Sequence, residues 1–224
     1  MDLGFDPEVA VKRLRRVDPA LAQVIKKAGP FTHRPEKIQS PFQALLRAIV
    51  YQQLSGKAAA TIFGRVSNLC CPGRARLRPE SILEATEENL RAAGLSRSKV
   101  LAVKDLATKT LDGTVPTLAR LKKMDDEEIV ERLIQVRGIG RWSVEMLLMF
   151  RLGRPDVLPT TDFGVRTGFM LTYGTSELPN HRQIAEHGER WRPYRSVASW
   201  YMWRAVDLSR SNGKPKPGVT VASD

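Results

Sequence analysis

The stretch that most constrains this 224-residue chain runs from Asp125 to Arg166, DDEEIVERLIQVRGIGRWSVEMLLMFRLGRPDVLPTTDFGVR. Asp125 and Glu128 are placed like a capping box, and apolar Ile129, Val130, Leu133 and Ile134 follow at helical spacing, so a helix is expected to about Val136. Gly138-Ile139-Gly140 then offers a tight turn, because positive φ costs glycine little. Val144, Met146, Leu147, Leu148 and Phe150 predict a second, largely buried helix. Its first backbone N–H groups lack intrahelical acceptors and suit a phosphate. Taken alone, Gly-x-Gly between helices reads as an ordinary αα-hairpin turn. After Pro159, Thr160-Thr161-Asp162 opens another apolar-patterned run through Phe163, Val165, Phe169 and Met170, which puts Asp162 in the first turn of a helix. Aspartate is common there for capping alone.

The rest of the chain is punctuated in the same way and shows no sustained strict alternation, so the expected fold class is all-α. Pro7–Val17 and Pro19–Lys27 read as helices, the second with Asp18 as N-cap and Pro19 at N1. Ser40-Pro41 repeats that signature before an apolar helix ending at Tyr51, a loop follows over 52–56, and helix resumes over Lys57–Leu69. Pro79–Ala85 and Glu87–Ala93 read as short helices, with Gly94 as a C′ residue and Ser96 as the N-cap of a helix to about Leu111. Arg97 and Lys99 make that helix start cationic, against the dipole, which either a phosphate contact or plain solvation would explain. His181–Arg190 and Ser196–Ser211 read as the last helices, and the segment from Gly213 has the composition of a mobile tail.

Lys and Arg number 36 against 24 Asp and Glu, a net charge of +12, and their even spread (19 in residues 1–112, 17 in 113–224) makes the excess a property of the folded body. A polyanionic partner, nucleic acid first, fits such a surface, as does a solvated basic face without one. Cys70 and Cys71 are the only cysteines and are adjacent, and His33, His181 and His187 are scattered, so neither a zinc nor an iron–sulfur pattern exists and no catalytic metal is expected. No apolar run reaches ~18 residues and no leader-like pattern opens the chain, so a soluble, intracellular protein is expected.

VRGIGRWSVEMLLMF followed by LPTTDFGVR resembles the helix-hairpin-helix DNA glycosylase superfamily, and within it the 3-methyladenine DNA glycosylase II type. The likeness spans about residues 38–210 and is strongest over 133–170. It implies two helical lobes flanking a DNA-binding cleft: 1–38 with 152–224 in one, 39–151 in the other, ending in a helix-hairpin-helix over 126–151. The implied activity is that of a monofunctional glycosylase of base excision repair. It would extrude alkylated purines such as 3-methyladenine and 7-methylguanine and hydrolyse the N-glycosidic bond. Double-stranded DNA with damaged bases is the implied partner of a monomer acting in the nucleoid or nucleus. No cofactor is implied beyond a structural monovalent cation that the hairpin could hold.

The resemblance also assigns roles. Asp162 matches the catalytic carboxylate, and departure of the base leaves positive charge on the sugar that such a group can stabilise. Trp142 stands where the strand-cleaving relatives carry a lysine nucleophile, which points to water as the attacking group. Trp142 and Trp203 match pocket aromatics that would stack on a cationic base, the plain alternative being two core tryptophans. Met146 stands where some relatives have tyrosine. Gln53 matches the side chain inserted into the vacated stack, with Leu54 beside it. Ser55, Lys57, Gly138, Ile139, Gly140 and Arg141 complete the DNA-facing set.

Overall fold

The computed structural model describes residues 3–36, 40–73 and 77–211, and all regular structure among them is helical. In order these are α1 (Pro7–Val17), α2 (Pro19–Ala28), α3 (Pro41–Tyr51), α4 (Gly56–Cys70), α5 (Pro79–Glu84), α6 (Glu87–Ala92), α7 (Arg97–Leu111) and α8 (Leu118–Leu121). Then come α9 (Asp126–Leu133), α10 (Arg141–Phe150), α11 (Phe163–Tyr173), α12 (His181–Gly188), a 3-10 turn (Glu189–Trp191) and α13 (Arg195–Ser211). The tail expected from Gly213 lies outside the described residues.

The chain divides into two compact units, Met1–Glu36 with Glu145–Asp224, and Lys37–Val144. The expected division at 38/39 and 151/152 therefore shifts, the second boundary falling inside α10 instead of after it. The reason is local packing. The end of α10 is tied to the N-terminal segment: the Glu36 N–H donates to the Phe150 carbonyl at 3.0 Å, Arg151 pairs with Glu36, and the His33 ring stands edge-on to Phe150 at 5.0 Å.

In the first unit, α11 and α13 come into backbone contact. A Cβ on Gly168 would lie 2.0 Å from the Met202 carbonyl oxygen, so glycine is required there. Leu14, Leu21, Val165, Trp191, Val197, Tyr201 and Met202 form the buried core around that contact. Asp18, the N-cap of α2, is 2% exposed. Its Oδ1 accepts from the Leu21 N–H at 3.0 Å. Its Oδ2 accepts from the Tyr173 hydroxyl at 2.6 Å and the Trp191 indole at 2.8 Å, with His187 Nε2 at 3.0 Å. Burial pushes this carboxyl up, but the hydrogen bonds from His187, Leu21, Tyr173 and Trp191 outweigh it and hold Asp18 far below the usual carboxylate range.

In the second unit α7 is the spine, packed against α3 and α5, with Val100, Val103, Leu106 and Ala107 among its buried residues. Ser96 caps it as expected, accepting from the Lys99 N–H at 3.3 Å, and Gly94 takes φ +110°. Arg97 is exposed, whereas Lys99 is half-buried and its ammonium donates to the carbonyls of Val50 at 2.6 Å and Gln52 at 2.8 Å. These carbonyls end α3, where a cation suits the helix dipole.

Two helix ends and one cap differ from the sequence-based expectation. Helix α9 ends at Leu133 and turns lead on to the hairpin, and Asp125 caps it without a side-chain hydrogen bond. The capping-box reading fails because Glu128, the acid it needs, pairs instead with Arg132 at 3.5 Å one turn on, and Asp125 makes no side-chain capping bond. The helix expected to Arg190 stops at Gly188 and tightens into the 3-10 turn. Asn180 and Gln183 form a reciprocal capping box at the start of α12, and the short α8 starts on Thr117; neither was expected.

Candidate active site and nucleic-acid interface

Asp162 is the N-cap of α11, one position before its first turn. Its Oδ1 accepts from the Val165 N–H at 2.7 Å and from the Trp203 indole N–H at 2.8 Å. These two donors, one from its own helix and one from α13, hold that oxygen in place. Trp203 is held in turn by Phe150, ring centroids 5.5 Å apart. Sequence reasoning missed the residue that permits this approach. A Cβ on Gly164 would lie 2.6 Å from Trp203 Cδ1 and 2.8 Å from its Nε1, so any larger side chain pushes the indole off Asp162. The signal was a glycine in the first turn of an otherwise apolar helix. Asp162 is partly exposed and the neighbouring Phe163 is 70% exposed, an unusual aromatic surface at a helix start.

The sequence-predicted residues of the second unit fall on two connected turns. Gly138 takes φ +79°, and a Cβ there would meet the Ala102 Cβ at 3.3 Å, so the fold itself demands glycine. Gly140 does not: its φ is not positive and a Cβ would meet nothing within 4 Å. The conformational reason given for both glycines thus holds for Gly138 alone. Ile139 is 4% exposed and its N–H donates to the Val136 carbonyl at 3.0 Å, so this residue anchors the turn inward. Asp105 accepts from the Arg137 N–H at 2.7 Å and from Lys109 at 2.9 Å, while Lys109 also donates to the Gln135 carbonyl, bracing the hairpin on α7. Arg141, at the start of α10, pairs with Glu127, Nη1 to Oε2 at 3.1 Å, and that hydrogen bond holds the Glu127 carboxyl below its ordinary range.

Gln53 adopts φ +59°, the one non-glycine residue with positive φ among the described residues, and it is exposed together with Leu54, Ser55 and Lys57. Ser55 is the N-cap of α4 but makes no capping hydrogen bond with its side chain. The loop is fastened to the hairpin by Gln52, whose Nε2 donates to the Gly138 carbonyl at 2.8 Å. Trp142 is 46% exposed, which removes the plain alternative that it is a core tryptophan. Met146, one turn later on α10, is half-buried. Asp162 and Trp203 are thus brought into direct contact in one unit, and the Gln53 loop and the hairpin are joined in the other.

Among the described residues no group of three or more His, Cys, Asp or Glu stands together as a metal site, and no helix is long and apolar enough to cross a membrane. The family model of HhH-GPD superfamily base excision DNA repair proteins matches residues 46–193. DNA-3-methyladenine glycosylase 1 of Schizosaccharomyces pombe is 35% identical over 197 residues, covering 88% of this chain and 86% of that one. Among solved structures, the S. pombe 3-methyladenine DNA glycosylase bound to abasic DNA is 34% identical with a TM-score of 0.76, covering 89% of this chain and 97% of that one. A DNA-3-methyladenine glycosidase from Bacillus halodurans is 35% identical with a TM-score of 0.81, covering 92% of each chain. With its all-helical fold, its glycine hairpin and its helix-capping Asp162, this chain belongs to the HhH-GPD superfamily of base excision DNA repair proteins and groups there with the 3-methyladenine DNA glycosylases.

Proposed function

We propose that the chain is a DNA glycosylase of base excision repair that extrudes alkylated purines of the 3-methyladenine and 7-methylguanine type from double-stranded DNA and hydrolyses the N-glycosidic bond. The observation that carries this is the Asp162 carboxylate, partly exposed and held by Val165 and Trp203 in a family whose chemistry is base excision. A base cannot be cut inside the stack, so it must first be flipped out. Gln53, on a positive-φ turn and flanked by exposed Leu54, is suited to fill the gap. Gly140 supports a phosphate contact at the hairpin: neither backbone conformation nor packing requires glycine there, and the close approach of a backbone phosphate would. Ser55, Lys57 and Arg141 add donors and charge, Arg141 by exchanging Glu127 for phosphate. Gly138 and Ile139 serve the interface through the shape of the turn.

An alkylated purine carries positive charge and stacks well on an exposed indole, which suits Trp142 to hold the base, with half-buried Met146 one turn later on the same helix. As the C1′–N bond breaks, the electron pair leaves with the base, which departs neutral, and positive charge develops on the sugar facing Asp162. Water then adds to C1′ and loses a proton, leaving an abasic site. Trp142 has no amine, so no Schiff base forms at that position and the strand stays intact. In this reading the enzyme works without a catalytic cofactor, as a monomer acting on chromosomal DNA in nucleoid or nucleus. A monovalent cation at the hairpin would need backbone carbonyls as ligands. Those of Gln135 and Gly138 each accept one hydrogen bond, from Lys109 and Gln52, and keep a second lone pair. Incubation with methylated duplex DNA, followed by separate analysis of released bases and strand breaks, tests the proposal. Methylpurine release without breaks and without a borohydride-trapped adduct is expected; a trapped adduct with cleavage would overturn the hydrolytic assignment.

A further inference from the structure

We propose that Lys99 is a positioning residue for base extrusion: by donating to the Val50 and Gln52 carbonyls it fixes the turn that presents Gln53 to the DNA. The inference rests on the reading of Gln53 as the gap-filling side chain. A helix leaves its last carbonyls without intrahelical donors. At the end of α3 they converge on one ammonium from the first turn of α7, at 2.6 and 2.8 Å. The chain then turns at Gln53 with φ +59°, a conformation that L side chains other than Asn and Asp seldom adopt and that the surroundings must therefore hold. Three contacts do so: Lys99 beneath the carbonyls, the Leu54 N–H on the Tyr51 carbonyl at 3.3 Å, and the Gln52 amide on the Gly138 carbonyl at 2.8 Å. The Gln52 bond runs to the hairpin that grips the backbone, so Lys99 sets the height of Gln53 relative to a hairpin already seated on phosphate. Its ammonium is more than a generic cation at a helix end, because one of its two acceptors, the Gln52 carbonyl, belongs to the peptide that joins Gln52 to the strained Gln53. Arg97, two positions earlier on the same helix, points to solvent and has no such role.

The test compares Lys99→Met, Gln53→Ala and the double variant. Readouts are single-turnover excision of 7-methylguanine, fluorescence of 2-aminopurine placed beside the lesion, and affinity for undamaged duplex. Lys99→Met should slow excision about tenfold and lower the unstacking signal in parallel, with undamaged-duplex affinity within about twofold of wild type. The double variant should be no slower than Gln53→Ala, since both changes act on one side chain. Losses that add, or an unchanged rate in Lys99→Met beside a slow Gln53→Ala, would overturn the proposal and leave the glycosylase reading standing. A wild-type rate and signal in Gln53→Ala would remove the gap-filling reading and the role of Lys99 with it. Should Lys99→Met fail to fold, Lys99→Arg decides. The guanidinium is longer and broader than the ammonium, so keeping both carbonyls requires the turn to shift; slowed extrusion is expected, and full rate with a full unstacking signal contradicts the proposal.

Discussion

Asp18 and Asp162 are built from the same local parts and put to opposite uses. Each caps a helix, each accepts from the backbone N–H three residues on, and each accepts from a tryptophan indole at 2.8 Å. The difference lies in what closes around them. Asp18 also takes Tyr173 and His187, is 2% exposed, and has its charge answered wholly by the protein. Asp162 keeps an exposed flank beside Phe163 and can face a charge that arrives from outside. A capping carboxylate becomes a candidate catalyst when the fold orients it and stops short of enclosing it.

The largest effect should come from breaking the enclosed member. Asp18→Ala strands the Trp191, Tyr173 and His187 donors and should cost about 3–5 kcal/mol of stability by urea unfolding, with excision per folded molecule unchanged. Because hydrogen bonding holds the folded Asp18 carboxyl below its unfolded value of 3.8, the stability it adds is present above that value and is lost as pH falls through the folded one. Wild type should therefore lose stability from about pH 4 downward, and Asp18→Ala should show a flatter profile over that range. An equal slope in both would detach the network from acid stability.

An intermediate effect should follow from disturbing the open member indirectly. Gly164→Ala drives a methyl to within 2.8 Å of the Trp203 ring, and moving the indole should cost about 1–3 kcal/mol and slow excision about tenfold. A normal rate would show that Trp203 need not hold Asp162. The smallest effects separate the hairpin glycines along the same line, one shaped by the fold and one by its partner. Gly138→Ala should lose about 1–2 kcal/mol of stability because of its φ of +79°. Gly140→Ala should change stability by under about 0.5 kcal/mol while weakening binding to damaged and undamaged duplex alike. Unchanged DNA affinity in Gly140→Ala would reduce the hairpin to a turn.

Helical periodicity and cap residues made the all-α fold readable, because caps and apolar stripes are local. Asp162, the hairpin and the Gln53 loop stood out through the resemblance. Capping pattern alone does not separate Asp18 from Asp162, since Tyr173, His187 and Trp191 lie more than 150 residues from Asp18 and reach it through tertiary packing. The same holds for Lys99, whose orientation depends on where α3 ends against α7. The boundary inside α10 was hidden because a continuous apolar helix gives no sign of which neighbour each half meets.

The most direct test is single-turnover excision by Asp162→Asn. The amide keeps an oxygen for Val165 and Trp203 and loses only the charge. Excision should fall by about 10²–10³-fold, least on cationic methylpurines and most on neutral lesions, with the unfolding midpoint and abasic-DNA affinity unchanged. Full activity in Asp162→Asn would contradict the assignment of this carboxylate to catalysis.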